Sequence, residues 1–281
     1  MLLSSGCSSG RPVEFERPAL VVGHPGHELR VFGWMDAYKP LVHLITDGSG
    51  RNGVARTPST AALLKLIGAQ QGEVFGHLSD AEIYRAILER NHLVFLPLVD
   101  SLASSFLNHE TSCVAGDAAE GFNPTHDLCR ILINAAVLLA ERTTAKQIAN
   151  FEIRLAEWEE NCPDAPHGDG CLHWTLDDRE LEKKVASAEQ YAGLSFEVQR
   201  AIAQRGREYF RMECLQRTAT TDLPNPAAGK PAYEIWGEQR VAEGRYQTVI
   251  RFEHHVLPIM QAILNYASSA TLDRSLVVAK R

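Results

Sequence analysis

Two short histidine-bearing segments hold residue types at a spacing that chemistry can use. The first is Gly23-His24-Pro25-Gly26-His27-Glu28, directly after the apolar run Pro18–Val22. Histidines at i and i+3 across a loop-to-helix junction can aim their imidazoles into one volume, and neutral imidazole is the commonest nitrogen ligand for zinc. Gly26 permits tight backbone geometry and Pro25 stiffens the bend. Two histidines do not close a metal site, so both ligation and a turn that merely contains two histidines stay open for this segment. The second segment is Glu120-Gly121-Phe122-Asn123-Pro124-Thr125-His126-Asp127. Here His126 can supply a third ligand, with Asp127 hydrogen-bonded to a ligating imidazole. Equally, Asn123 or Thr125 caps a helix, Asp127 favours its positive end, and His126 is incidental.

The elements that must position these residues are legible in outline. Residues 18–22 and 41–45 have the length and apolar content of strands, and residues 28–38 between them read as a helix that ends before Pro40. Strand, loop, helix and strand in succession make a βαβ unit, which implies a parallel sheet with a right-handed crossover. Further helices are predicted over 60–66, 80–90 with Ser79 as N-cap, and 124–140, and strands over 73–75 and 92–99. The expected fold class is α/β, a Rossmann-like parallel sheet flanked by helices, with a largely helical C-terminal extension. Ligand sites in such sheets sit at the carboxyl ends of the strands. The expected organisation is a flexible tail over 1–17, an α/β metal-binding core over 18–145, and a mostly helical extension over 146–281. That extension is read as packed on the core, shaping a substrate cleft or a homo-oligomer contact. Within it, 145–160, 178–190, 196–213 and 253–267 read as helices, 161–174 as a loop and 218–230 as a linker.

Composition excludes several function classes. With 281 residues, 45% hydrophobic and 22% charged, the chain is globular and long enough for one large α/β domain. A net charge of −7 and no cationic run speak against a nucleic-acid partner, which needs a cationic excess to neutralise phosphates. The longest apolar run, 131–140, is about half of a bilayer span and contains Asn134, so no membrane partner is expected. Residues 3–7 have the outline of a lipoprotein cleavage box without a basic or apolar region before it, and are not read as a signal peptide. Cys7, Cys113, Cys129, Cys162, Cys171 and Cys214 form no C-x-x-C pair and no dense disulfide framework, which reads as free thiols in a reducing cytoplasm.

Other histidines carry less. Cys162, His167, Cys171 and His173 crowd together, but their spacing fits no zinc-finger pattern and the surroundings have loop composition. His109-Glu110 is half of an H-E-x-x-H motif with Cys113 in the second histidine position. The pair His254-His255 reads as packing or surface. Arg51 and Arg56 follow the second strand in a glycine-rich loop, where a surface role and a ligand role are both open.

Taken in order, the motifs resemble the PIG-L/LmbE family of zinc-dependent N-deacetylases. The shared order is a strand, His-Pro-x-x-Glu at 24–28, a Leu-x-Thr-Asp-Gly turn at 44–48, and the segment 120–127. The resemblance covers about residues 18–140, with a weaker echo at Lys184, Ala188, Tyr191 and 233–238. It implies Zn2+ or another divalent metal on His24, His27 and His126, with His27 standing where the family has an aspartate ligand. Three histidines are an acceptable catalytic set with an open water position; one negative charge poorer, it makes the metal a stronger Lewis acid. The implied reaction is removal of an N-acyl group from an amino-sugar conjugate, so the partner is a small-molecule or glycan-conjugate substrate.

The same resemblance assigns the surrounding residues. Glu28 matches the family's final glutamate, Asp127 follows a ligand, and Asn123 stands where the family has an oxyanion-stabilising histidine; an amide can still donate there. These three are the expected catalytic neighbours. Arg56 resembles the family's substrate arginine, and Asp47 and Glu120 are expected on the substrate side. Gly26 occupies the position of the family's general-base aspartate, and glycine cannot take a proton. Two expectations follow: a zinc amide hydrolase whose base is displaced, or a non-hydrolytic metal- and glycan-binding protein of the same fold.

Overall fold

The structure, a computed structural model, describes residues 15–50, 52–155, 171–220 and 229–272. The tail expected over 1–17 falls almost wholly outside the described residues, as do Arg51, Cys162 and His167. Phe15, near its end, packs edge-on against Trp34, Tyr38 and Phe151 at 6.4, 5.5 and 5.6 Å between ring centroids.

Among the described residues seven strands form one sheet: β1 (Pro18–Val22), β2 (Leu41–Thr46), β3 (Gln70–Leu78), β4 (Cys113–Asp117), β5 (Ala149–Ile153), β6 (Cys171–Thr175) and β7 (Met212–Arg217). Their spatial order is β3-β2-β1-β4-β5-β7-β6. The first five run parallel to one another, while β7 runs antiparallel to both β5 and β6. The α/β class therefore holds, with a mixed rather than purely parallel sheet. Every residue of β1 is buried, as a strand covered on both faces requires. Ala19 and Val21 join the core formed with α3 (Asp80–Leu88), α4 (Leu96–Asn108), α5 (Pro124–Thr144) and α9 (Leu257–Ser269). Leu20 and Val22 face the opposite core, with Phe32, Trp34 and Met35 of α1 (Phe32–Tyr38) and Leu63, Leu64 and Ile67 of α2 (Thr57–Ile67). A smaller cluster of Leu176, Leu181 and Val185 gathers α6 (Asp178–Glu189) and Ile202 of α7 (Ser195–Arg205) near the β6–β7 edge. Helix α8 (Ala232–Ala242) lies in the last third of the chain.

The expected N-cap of α3 is present as a full capping box. Ser79 Oγ accepts the Glu82 N–H at 3.2 Å, and Glu82 Oε2 accepts the Ser79 N–H at 2.8 Å. Four segments differ from their sequence reading. Residues 92–99 are helical, a short 3-10 turn followed by α4, because Leu98, Val99, Leu102, Ala103 and Phe106 recur at helical spacing and Pro97 fits the first turn. A short apolar run has no period of its own to separate strand from helix. Residues 149–153 form β5, not helix: Phe151 and Ile153 are buried and the backbone pairs with β4. Segments 171–175 and 212–217, read as loop and helix end, pair with each other and extend the sheet.

The chain builds β1, β2 and β3 outward on one side, then returns to place β4 on the other side of β1. The strand order reverses there, and the crevice at the carboxyl ends of β1 and β4 is where such sheets bind ligands.

Candidate metal centre

Both histidine segments open into that crevice. Gly26 takes a left-handed conformation at φ 109° and leads into a 3-10 turn over His27–Val31. The loop is drawn onto the end of β4 by Asp117, whose Oδ2 accepts the Gly23 N–H at 2.7 Å and lies 2.8 Å from His27 Nδ1. His126 sits in the first turn of α5, where the Asn123 side chain caps the helix by accepting the Thr125 N–H at 2.8 Å. The three imidazoles converge: ring centroids are 5.3 Å apart for His24 and His27, 5.2 Å for His24 and His126, and 4.6 Å for His27 and His126.

Each of the first two rings is oriented by a carboxylate. His24 Nδ1 lies 3.0 Å from Asp80 Oδ1 and 3.0 Å from Thr46 Oγ1, and His27 Nδ1 lies 2.8 Å from Asp117 Oδ2. A carboxylate on Nδ1 fixes the tautomer that leaves Nε2 with a free lone pair, the arrangement that metal-ligating histidines use. His24 Nε2 and His126 Nδ1 are buried and have no hydrogen-bond partner. Burial pushes the pKa of His24 down and that of His126 well below the usual imidazole value, with the neighbouring imidazoles adding to both. Neutral rings with unspent buried nitrogens are the form a divalent metal requires, so the residues fit such an ion. Asp80, despite the upward pull of burial, is held well below the carboxylate range by His24, Thr46 and the Gly50 N–H.

The histidines face a cavity of about 530 Å³, walled also by Asp80, Arg56, Asn123 and Phe122. A second cavity of about 690 Å³ shares Tyr84, Phe122, Asn123 and Tyr246 with it and continues past Tyr233, Trp236, Arg240 and Arg245. Phe122 links the two, its ring 6.3 Å from that of His126 and 4.8 Å from that of Trp236. Phe122 and Trp236 are 39% and 44% exposed, so this aromatic wall is open to a ligand.

Of the other residues singled out in the sequence, Asn123 and Arg56 reach the cavity, and Arg56 Nε is buried with no hydrogen-bond partner. Glu28 is fully buried and off the cavity wall. Its Oε2 accepts the Gly26 N–H at 2.6 Å, and its Oε1 accepts from Thr60 Oγ1 at 2.8 Å and Tyr191 OH at 3.0 Å. Burial raises its pKa, and its contacts brace the loop. Asp127, pushed up to about 7 by burial, accepts the Gly121 N–H at 3.0 Å. Asp47 accepts the Ser49 N–H at 2.8 Å and Glu120 accepts the Leu155 N–H at 2.8 Å. None of Asp127, Asp47 and Glu120 lines the cavity of the histidines. A Cβ at Gly26 would fall 2.2 Å from Leu194 Cδ1, so the 191–194 segment already fills the space beside that backbone.

Sequence reasoning did not pick out Asp80, Asp117 or Thr46. Asp80 looked like an acidic residue in the first turn of α3, and Asp117 ends a strand that the pattern did not mark. The available signal was position alone: polar residues at or just beyond the carboxyl ends of β2, β3 and β4, where ligand sites gather.

Fold and site together define an α/β protein with a three-imidazole cluster at its strand-order reversal. No model of a known protein family matches the chain, and no curated protein matches it. Among solved structures it is similar to a deacetylase–teicoplanin complex from teicoplanin biosynthesis, at TM-score 0.49 and 14% identity over 74% of this chain and 100% of that one. It is similar also to the zinc-inhibited form of teicoplanin deacetylase Orf2, at TM-score 0.46 and 13% identity over 72% of this chain and 99% of that one. The A40926 pseudoaglycone deacetylase Dbv21 gives TM-score 0.46 and 18% identity over 73% and 97%. At these values no residue role is carried across. Among the described residues no helix is long and apolar enough to cross a membrane.

Proposed function

We propose that this protein is a metal-dependent hydrolase that removes an N-acyl group from an amino-sugar conjugate or related metabolite. Zinc or another divalent cation would be held by His24, His27 and His126. The observation that carries this reading is the convergence of three imidazoles, two of them oriented by carboxylates, on an open cavity. A divalent ion bound there supplies an acidified water and polarises an acyl carbonyl.

The chain's own residues do the rest. Asp80 and Asp117 hold the Nδ1 protons of His24 and His27. The carbonyl of the Asn123 side chain is spent on Thr125, which leaves its amide as the group able to donate to an oxyanion. Arg56 brings a cation to the cavity wall, and Phe122, Trp236 and Tyr246 offer faces on which sugar or aglycone rings stack.

A second reading is favoured by one observation. Leu194 stands beside Gly26, and Asp80, the carboxylate on the cavity wall, has both oxygens engaged. With no uncommitted carboxylate there among the described residues to accept a proton, the chain would bind metal and glycan without turnover. One experiment separates the readings: acetate release from N-acetylglucosaminyl conjugates by zinc-loaded protein, followed by mass spectrometry, with His126→Ala in parallel. Release that disappears in the variant supports the hydrolase. Metal-dependent ligand retention without release supports the binding protein. No stoichiometric metal, or the same metal content after His126→Ala, overturns both.

A further inference from the structure

The most tightly drawn group of metal-capable side chains among the described residues lies away from this cleft. Cys171, His173 and Cys214 each offer a donor atom, and the three atoms lie within 4.8 Å of one another. Register explains the meeting. Strands β6 and β7 are antiparallel with His173 directly opposite Cys214, and Cys171, two residues before His173, shares its face. The two Sγ atoms are 2.6 Å apart. Cys171 and Cys214 are half-buried and His173 is exposed, so solvent and ions reach the group.

We propose that in the reduced chain Cys171, His173 and Cys214 form a second metal site, structural in role, for a thiophilic divalent cation such as zinc. Two sulfurs and one nitrogen are a donor set that zinc prefers, at bond lengths of about 2.3 and 2.0–2.1 Å; tetrahedral ligation holds two sulfurs about 3.7 Å apart, so the two Sγ atoms move apart by about 1 Å as the metal enters. The location supplies the reason for a staple. β6 and β7 close the sheet's antiparallel edge, where the supporting apolar cluster has three buried members among the described residues. In this structure Cys214 stands in a disulfide, so the site belongs to the reduced state. A dithiol reductant gives two electrons and two protons to that disulfide, so that Cys214 and its disulfide partner become thiols, and metal binding then releases the thiol protons of Cys171 and Cys214.

The proposal is independent of the hydrolase reading, and the probe distinguishes them. The reduced full-length protein is loaded with cobalt(II), and near-ultraviolet thiolate-to-cobalt charge-transfer absorption is recorded; the three-histidine site has no sulfur and contributes none. The expected result is one cobalt equivalent with this band, kept in His126→Ala and lost in Cys171→Ser/Cys214→Ser. A second measurement needs no variant: zinc should protect Cys171 and Cys214 from alkylation at least tenfold, read by peptide mass. Absence of the band in protein whose thiols are counted as reduced overturns the proposal. So does a band that persists in the double variant, equal alkylation with and without zinc, or a Cys214 disulfide that survives the reductant.

Discussion

Asp80→Asn tests whether the cleft is a metal centre built through its supporting carboxylates. Asp80 accepts at both oxygens: Oδ1 lies 3.0 Å from His24 Nδ1, and Oδ2 takes the Gly50 N–H at 2.6 Å. Asparagine keeps the size and loses one acceptor. If its NH2 turns to Gly50, two donors face each other across a hydrogen-bonding distance. If the NH2 turns to His24, Nδ1 must become the acceptor, and the proton moves to Nε2, the nitrogen that would bind metal. Either outcome damages the site without removing a ligand. Loss of such a supporting partner weakens metal binding about 10–100-fold, or roughly 1.4–2.7 kcal/mol. The assay is zinc affinity by chelator competition for wild type, Asp80→Asn and His126→Ala. Urea unfolding of the metal-free proteins is run beside it, to separate lost affinity from lost stability. Unchanged zinc affinity in Asp80→Asn, in a background where His126→Ala abolishes binding, would refute the reasoning.

Gly26→Asp should not restore a base. Its Cβ meets Leu194, and φ 109° strains any L side chain, so a stability loss of about 2 kcal/mol or more is expected by thermal unfolding, relieved in part by Leu194→Ala. His43 is fully buried, its Nδ1 accepts the Val74 N–H, and burial sets its pKa at about 4 against an ordinary 6.5. Because the folded value is the lower one, this stabilisation is complete above the unfolded pKa and is lost as pH falls towards 4. At pH 5 the loss is about 2 kcal/mol, and urea titrations of His43→Gln should lack that portion of the acid slope. Trp236→Ala should raise KM several-fold for a conjugate long enough to reach the second cavity and leave kcat/KM for a minimal N-acetyl sugar unchanged; an equal loss on both substrates would remove the groove from substrate binding. Lys184→Met leaves Glu213 buried without its cation, although Glu213 still takes the Gly33 and Trp34 N–H groups, and a loss of about 3 kcal/mol by urea unfolding is expected.

How far the sequence reached depends on whether a feature is local. Strand β1, the helix after Ser79 and the start of α5 are written in contiguous patterns, and the structure shows all three near where the pattern puts them. Residues 92–99, 149–153 and 171–175 are not so written. Their state is decided by what they pair with or pack on: α5 and β3 for the first, β4 for the second, β7 for the third. The unexpected strands carry consequences, since they supply the pairing that sets His173 opposite Cys214.

The same division runs through the sites. By itself the sequence determined that His24 and His27 flank one tight turn after a buried strand and that His126 enters a helix behind Asn123, because spacing along the chain fixes such relations. Only the tertiary structure decided that the three rings meet, since their segments are joined by the reversal of strand order between β1 and β4. It alone brought Asp80 and Asp117, from two other strand ends, onto the imidazole nitrogens. It also turned Glu28, Asp127, Asp47 and Glu120 towards backbone and core. A carboxylate is drawn to the nearest unsatisfied donor in space, and separation along the chain says little about where that donor is.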